Sequence, residues 1–416
     1  VARVLLTNFS DSEFDLFQVE TYEEALNALR ERYYDVVIID LLLPALDGTI
    51  SKVSSRAIIN AVLRGTNLIS PMHIIGLTAY ENIAEEERNF YEENLLAIEF
   101  YDPTDQKWEK RLIAKIRYLF QSKKAGLLFQ AQSYDLDVFV LAARHENEFL
   151  PVRKRLFTTI LGDHHPLWPS GVCLGQIRLK DGRVLNAGLA CIGEMGMATA
   201  AAVTSQAISV FRPRLVAMLG MCCGFTIGPS PRKLLDAIVI REVDCWEEGK
   251  YVALSGSHNE FQNRSKSRLV DDAIRQDVES IIERSVETIQ PALRRLARQK
   301  MYKDVRALLG DQNVRERPDV KFAPIVSGSS VIADRNMVAE ILDRHPSAIG
   351  LDMEIFGVYA AADRSLGRRP SVLGIKGVAD FGEATKNDAA QAAASLVATE
   401  VFKSILPHLR IFGPPA

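Results

Sequence analysis

Acidic residues close several apolar runs in this sequence, and they are the side chains best placed to do chemistry. DVVIID ends on Asp40 and VLGIKGVAD on Asp380, while LDMEIFG carries Glu354. ARHENEF, directly after the apolar DLDVFVLAA, carries Glu146 and Glu148. Short apolar runs of this kind predict buried strands, and open parallel sheets place their reactive groups at the carboxyl ends of strands. Glycine pairs punctuate the same region: Gly193 and Gly196 in CIGEMGMATAAAV, and Gly220 and Gly224 in LGMCCGF. Without a β-carbon, such residues let the backbone approach a ligand closely. Each signal alone has an ordinary explanation. Asp40 could cap a turn, Asp380 could cap the helix after it, Met353 could be core filler, and the glycines could serve tight strand–helix packing.

The elements that must position these residues form two successive alternations. Within residues 1–122, FDLFQVE, DVVIID, MHIIGLTAY and LLAIEFY predict strands, and TYEEALNALRERY and QKWEKRLIAKIRYLF predict helices. Short buried strands alternating with helices imply a parallel, doubly wound sheet. The polar stretch QSKKAGLLFQAQSYD predicts a linker over 123–134. A second alternation fills 135–416, with strands at DLDVFVLAA, VLNAGLACIG, RLVAMLGMCCG, DAIVIREVD, FAPIVSGSSV, AIGLDME and SVLGIKGVAD. MATAAAVTSQAISVF and NDAAQAAASLVATEVFKSIL predict helices between and after them, and Ser265 to Leu309 predicts a long charged helical insertion with a solvated face. The expected fold class is α/β, in two domains.

Composition removes several classes of function. Fifty Lys and Arg oppose 53 Asp and Glu, a formal net charge of −3, so nothing suggests a general nucleic-acid binder. No apolar stretch approaches the roughly 18–20 residues of a membrane span, and VARVLLTNFSDSEF lacks the design of a signal peptide. Five cysteines, including the adjacent Cys222 and Cys223, show neither metal-ligand spacing nor a disulfide framework. They read as small packing residues in a reducing cytoplasm.

The stretch DVVIIDLLLPALDG, with Pro44 and Gly48 in the loop after Asp40 and Thr78 closing HIIGLT, resembles the receiver domain of two-component response regulators. The resemblance implies a flavodoxin-like fold, Asp40 as phosphoacceptor, Thr78 as switch residue, and a cognate histidine kinase as partner. Two departures stand out. VARVLLTNF aligns with the later part of the receiver's first helix, so the first strand and its cation-binding acidic pair are absent. With no initiating Met, the natural protein is expected to extend upstream by roughly 10–20 residues, about one strand and its turn; Mg would bind the receiver site of that complete protein. In EFYDPTD, Asp102 stands where receivers carry a lysine that neutralises the acyl phosphate. An anion beside a phosphoryl group is electrostatically adverse.

From Asp135 onward the order AARHENEF, CIGEMGMATAAAV, LGMCCGF, AIGLDMEIFGVYAAAD and VLGIKGVADFGEA resembles the nucleoside phosphorylase/nucleosidase superfamily. The likeness is greatest to methylthioadenosine/S-adenosylhomocysteine-type and adenine-nucleotide nucleosidases. It implies an α/β domain with a mixed central sheet and N-glycosidase activity without a catalytic cofactor or metal. Cleaving a bond between ribose and a purine passes through an oxocarbenium-like sugar, as in glycoside hydrolysis. By the resemblance Asp380 is the general acid that protonates the purine ring nitrogen, a task requiring it to hold its proton near neutral pH. Glu354 accepts hydrogen bonds from the ribose hydroxyls, and Met353 packs on the ribose face. Glu148 orients the attacking water, with Glu146 as the alternative register. The glycines, Gly193 and Gly220 foremost, approach the ligand. Ser329 and Val331 of SGSSV flank the base, and Phe225 is near enough to supply the aromatic stacker that Val331 is not.

Arg144 and His145 precede the water-orienting glutamate, on the expected 5′ side of the sugar, where cations suit a phosphorylated substrate. A pairing of Arg144 with Glu146 or Glu148 is the competing reading. A receiver fused to a nucleosidase also looks like the effector of Detocs-type phage-defence systems, which cleaves ATP to adenine and ribose triphosphate. The expected function is therefore regulated hydrolysis of an adenine nucleotide, ATP foremost, in antiphage defence. The alternatives are a methylthioadenosine-type nucleosidase, a purine nucleoside phosphorylase and a non-catalytic nucleotide sensor. Superfamily resemblance also implies a homo-oligomer, at least a dimer.

Overall fold

A computed structural model describes residues 1–10, 14–44, 52–65, 67–94, 96–102, 104–168, 170–253, 259–383 and 388–413. Among these the chain divides into two units, Val1–Phe129 and Gln130–Ala416.

The first unit contains β1 (Val36–Asp40), β2 (His73–Thr78) and β3 (Ala97–Phe100), with helices α1 (Ala2–Asn8), α2 (Tyr22–Glu31), α3 (Lys52–Leu63), α4 (Glu81–Glu93) and α5 (Lys107–Gln132). The strands form a parallel sheet in the order β1-β2-β3. In its register Asp40 lies opposite Leu77, and Thr78 lies opposite Phe100. One apolar cluster joins Leu29, Ile39, Ile58, Ile59, Ile74 and Tyr91, and a second joins Ile75, Trp108 and Leu112. Alternate residues of β2 thus feed both clusters, the pattern of a sheet covered on both faces.

Two expectations need correction here. FDLFQVE is not a strand: Phe14–Glu20 lies outside the sheet, and among the described residues β1 pairs only with β2. An apolar alternation becomes a strand only beside a partner that takes its backbone hydrogen bonds. The expected linker over 123–134 is helical as far as Gln132. Lys, Ala, Leu and Gln are good helix formers, and the single Gly126 costs only about 1 kcal/mol. That is too little to stop a helix already nucleated upstream. Gly48 lies outside the described residues.

The second unit is built on β4 (Leu136–Ala142), β5 (Thr159–Gly162), β6 (Cys173–Arg178), β7 (Val184–Cys191), β8 (Pro213–Gly224) and β9 (Ala237–Cys245). It continues through β10 (Gly249–Ala253), β11 (Asn259–Asn263), β12 (Arg268–Leu269), β13 (Val320–Ser327), β14 (Gly350–Asp352) and β15 (Ser371–Asp380). Its helices are α6 (Leu150–Leu156), α7 (Met197–Phe211), α8 (Asp272–Glu283), α9 (Ser285–Thr288), α10 (Gln290–Ala297), α11 (Lys300–Leu309), α12 (Arg335–Arg344), α13 (Ile355–Asp363) and α14 (Gln391–Ile405).

The large sheet is mixed and runs β12-β9-β13-β14-β8-β4-β7-β6-β5, while β15 pairs with both β8 and β9. Strands β8, β15, β9, β13 and β14 therefore close a circuit, because β14 returns to pair with β8. Closure removes the free edges that an open sheet must protect. The helical insertion α8–α11 exposes Arg294, Arg295 and Arg298, as a solvated face would. Its opposite stripe (Ile274, Val278, Ile281, Leu293, Leu296, Tyr302) is buried in the main core, so the insertion is amphipathic and helps build that core. Among the described residues no helix is long and apolar enough to cross a membrane.

Candidate active site

The first carboxylate is positioned by an unusual turn. After β4 the chain forms one wide π-helical turn, His145–Phe149, which continues into α6. Single turns of this kind are often found at functional sites. Here the turn brings Glu148 back over the end of its own strand. Its Oε2 accepts hydrogen bonds from the backbone N–H of Ala143 (2.6 Å) and of Arg144 (3.0 Å). Its Oε1 accepts from Met221 N–H on β8 (2.9 Å). Glu148 is buried, whereas Glu146 is exposed and pairs with its neighbour His145 at 3.1 Å. Gly220 makes room for the arrangement, since a β-carbon there would fall 2.3 Å from Glu148 Oε1.

Beside it lies a cluster that the sequence reading did not assemble. Asp352 closes β14, and its Oδ1 accepts from Ser327 Oγ at 2.6 Å, on the neighbouring strand β13. Both Asp352 oxygens also accept from Ile355 N–H, which orients the start of α13. Glu354 stands at the N-cap of that helix and is 5% exposed. Lys376, fully buried in the middle of β15, places its Nζ 3.1 Å from Asp352 Oδ2 and 3.6 Å from Glu354 Oε2. In the β15–β8 register Lys376 lies opposite Gly220, the residue against which Glu148 rests.

The charges in this cluster do not balance, since one ammonium faces Asp352, Glu354 and Glu148. Burial pushes the Glu354 carboxyl up to about 7; Lys376 opposes that rise, while Asp352 and Glu148 add to it. Burial also works against the Lys376 charge, but the surrounding carboxylates outweigh it and hold the ammonium above its ordinary range. Opposite charges at this distance favour each other's ionised form, and like charges do the reverse.

Asp380 ends β15 just beyond an irregularity. Val378 lies opposite Cys222 but Asp380 opposite Cys223, so Ala379 is an extra residue on the β15 side. Bulges of this kind re-aim the residues that follow them. Asp380 Oδ1 accepts from Gly382 N–H at 2.8 Å, holding the turn after the strand. The side chain lines a cleft of about 570 Å³ together with Thr226, Leu234, Leu308, Asn313 and Arg335.

The remaining predicted residues have varied surroundings. Gly193 and Gly196 have φ of +86° and +115°, and the second caps α7, so both need glycine for backbone reasons. A β-carbon at Gly224 would press on Val378 and Arg232, which is a packing role. Met353 is half-buried, and Ser329 and Val331 are exposed at the end of β13. Arg144 caps the π-turn and His145 opens it; both are exposed, with His145 stacked on Phe149 at 5.2 Å. Phe225 directly follows β8. It is fully buried with Cys223, Trp246, Val326 and Ile332, because its backbone N–H bonds to Ile349 O and turns the ring into that cluster. Lys376 could have been found in the sequence: a lone cation inside an apolar strand is almost never fully buried without partners.

In the first unit Asp40 is exposed at the end of β1, and its Oδ1 accepts from Leu42 N–H at 3.0 Å. Thr78, at the end of the adjacent β2, is buried, and its Oγ1 accepts from Tyr80 N–H at 3.2 Å. Asp102 holds the loop after β3 by accepting from Thr104 N–H and Oγ1; these bonds lower its carboxyl below the usual range.

No protein-family model matches the chain. An uncharacterized protein y4jS of Sinorhizobium fredii is 25% identical over 399 residues, spanning 92% of this chain and 89% of its own length. ATP nucleosidase Cap17 of Escherichia coli is 26% identical over 234 residues, 56% of this chain. The match spans only 43% of Cap17's length. This relationship supports the nucleoside phosphorylase/nucleosidase superfamily. Solved structures that resemble the chain include the 5′-methylthioadenosine/S-adenosylhomocysteine nucleosidase of Neisseria meningitidis in complex with methylthio-immucillin-A. Its TM-score is 0.46 at 16% identity, covering 65% of this chain and 98% of that one. The futalosine hydrolase of Helicobacter pylori has a TM-score of 0.44 at 13% identity, covering 65% and 97%. The relatives that carry an activity are nucleosidases, consistent with an N-glycosidase hydrolase.

Proposed function

We propose that the second unit hydrolyses the N-glycosidic bond of an adenine nucleotide, ATP foremost, and that the first unit regulates it. The observation that carries this reading is the gathering of Glu148, Glu354 and Asp352 around the buried Lys376, on strands that also deliver Asp380 to a cleft. A carboxylate offers about four lone-pair sites. Backbone amides take three at Glu148, leaving one to hold and orient a water. Glu354 accepts from the ribose hydroxyls in its ionised form, as charge-assisted bonds fix a sugar firmly. Asp380 protonates the departing purine, so that the base leaves neutral while the sugar carries the positive charge. Water held at Glu148 then attacks the anomeric carbon, and its proton passes to solvent by way of that carboxylate. The exposed Arg144 and His145 meet the 5′-phosphates. The match to an ATP nucleosidase supports ATP over thioether nucleosides.

The deciding experiment incubates the protein with ATP, AMP, adenosine and methylthioadenosine, with and without inorganic phosphate, and follows free base. Adenine from ATP without phosphate, lost by at least about a hundredfold in Asp380→Asn, is the expected result. Release that requires phosphate would make the chain a phosphorylase. Binding without release would make it a sensor.

In the first unit Asp40 is the phosphoacceptor and Thr78 the switch residue of a receiver served by a histidine kinase. Their positions at the ends of adjacent parallel strands support this reading.

A further inference from the structure

The segment Gly328–Ser330 leaves β13 at the point where the glycosidase reading places the base, and its backbone donors are taken up from two sides. Gly328 N–H donates to Asp352 O at 3.1 Å, tying the segment to the ribose-side cluster. Ser329 N–H and Ser330 N–H both donate to one carboxylate, Glu247, at 2.7 Å to Oε2 and 3.1 Å to Oε1. The neighbour of Glu247, Trp246, is 7% exposed and donates its backbone N–H to Ser327 O at 3.1 Å. Its indole packs so closely on the chain that a β-carbon on Gly328 would fall 2.1 Å from Nε1. Ser329 in turn reaches the glycine loop before α7, where a β-carbon on Gly196 would lie 3.7 Å from its hydroxyl.

From this geometry we infer that Glu247 is the positioning residue of the base-lining segment, with Trp246 as the platform that fixes its height. The inference rests on the glycosidase reading of the site. Two amides turned toward a single carboxylate cannot rotate independently, so the residues that follow, Val331 and Ile332, leave the clamp in one direction. The clamp comes from the end of β9 and not from the segment itself. Base placement is therefore set by an element that contributes none of the reacting groups.

The test compares wild type with Glu247→Gln and Glu247→Ala, using adenine binding by calorimetry, KM and kcat for the released-base assay, and thermal stability. Removing charge-assisted bonds from two amides should raise KM and the adenine dissociation constant about tenfold in Glu247→Ala. Glu247→Gln, which keeps one acceptor oxygen, should give a smaller rise. The kcat at saturation should stay within about threefold, because Asp380 and Glu148 are unchanged. Melting temperatures close to wild type in both variants would separate this outcome from general unfolding. Adenine binding by the wild type that neither variant weakens overturns the inference alone. A wild type that neither binds nor releases adenine overturns the glycosidase reading and the inference with it.

Discussion

Glu148 occupies the space that a side chain at residue 220 would need. A β-carbon on Gly220 would fall 2.3 Å from Glu148 Oε1 and 2.5 Å from its carboxyl carbon. That contact is far too short to absorb by small adjustments, so the glycine and the glutamate are a matched pair.

Gly220→Ala is accordingly expected to push the carboxylate off Met221 N–H and so disturb the water-holding role proposed for it. Overpacking of this kind costs about 1–3 kcal/mol of stability, and a misplacement near 1 Å costs on the order of a hundredfold in rate. Urea unfolding and adenine release measured on the same sample check both halves. Full activity in this variant would remove Glu148 from the mechanism.

Lys376→Met removes the cation that pairs with the buried carboxylates of Asp352 and Glu354. Breaking a buried pair by deleting one partner costs about 3–5 kcal/mol, because the other charge is left uncompensated. Adding Asp352→Asn should recover part of that loss. A denaturation midpoint unchanged by Lys376→Met would show that the cluster is not the ion pair described.

The pH dependence of stability has a definite sign at Glu354. Its carboxyl is raised from 4.5 to about 7 in the folded state, chiefly by burial. Between those values the folded protein binds more protons than the unfolded chain, so this contribution to stability is full below about pH 4.5 and is lost as pH rises through 7. The difference in unfolding free energy between wild type and Glu354→Gln, measured at pH 5 and pH 8, should therefore shift in favour of the variant at the higher pH. A shift on the order of 1–3 kcal/mol is expected. If ionised Glu354 holds the ribose, kcat/KM should rise through the same range while stability falls.

The receiver reading proposed for the first unit predicts that acetyl phosphate labels Asp40, that Asp40→Ala removes the label, and that adenine release then ceases to respond. Asp102→Lys should increase labelling, since it supplies the cation the site lacks. Labelling that persists in Asp40→Ala would place the phosphoryl group elsewhere.

Much of the catalytic scaffold was legible because buried strands declare themselves: DVVIID, DVFVLA, VAMLGMCCG and VLGIKGVAD all lie in strands of the sheets. Asp40 and Asp380 stand at the ends of two of these strands, and Glu148 lies just beyond a third. Phe14–Glu20 misled because pairing is a property of two strands, and an apolar alternation in one of them does not reveal whether its neighbour is present. The stretch 123–132 misled in the opposite way: its polar residues suit a helix as readily as a linker. The full burial of Phe225 was not legible, because closeness in sequence to a glycine loop does not tell which way a ring points. The Lys376 cluster was invisible as a whole, since its members come from β14, α13 and β15, and only the closed circuit of strands brings them together.

The extra residue at Ala379 also bears on how the site could change. Four positions now separate Lys376 from the terminal aspartate; one residue inserted or deleted near the end of β15 would make that spacing odd, and plain alternation would put the two side chains on opposite faces of the strand. An aspartate re-aimed in this way could not reach the leaving group of the proposed reaction. A single codon gained or lost there would leave the composition of the strand almost intact while removing the proposed activity. Relatives that keep the lysine and the aspartate but not the spacing between them are the natural place to look for that loss of activity.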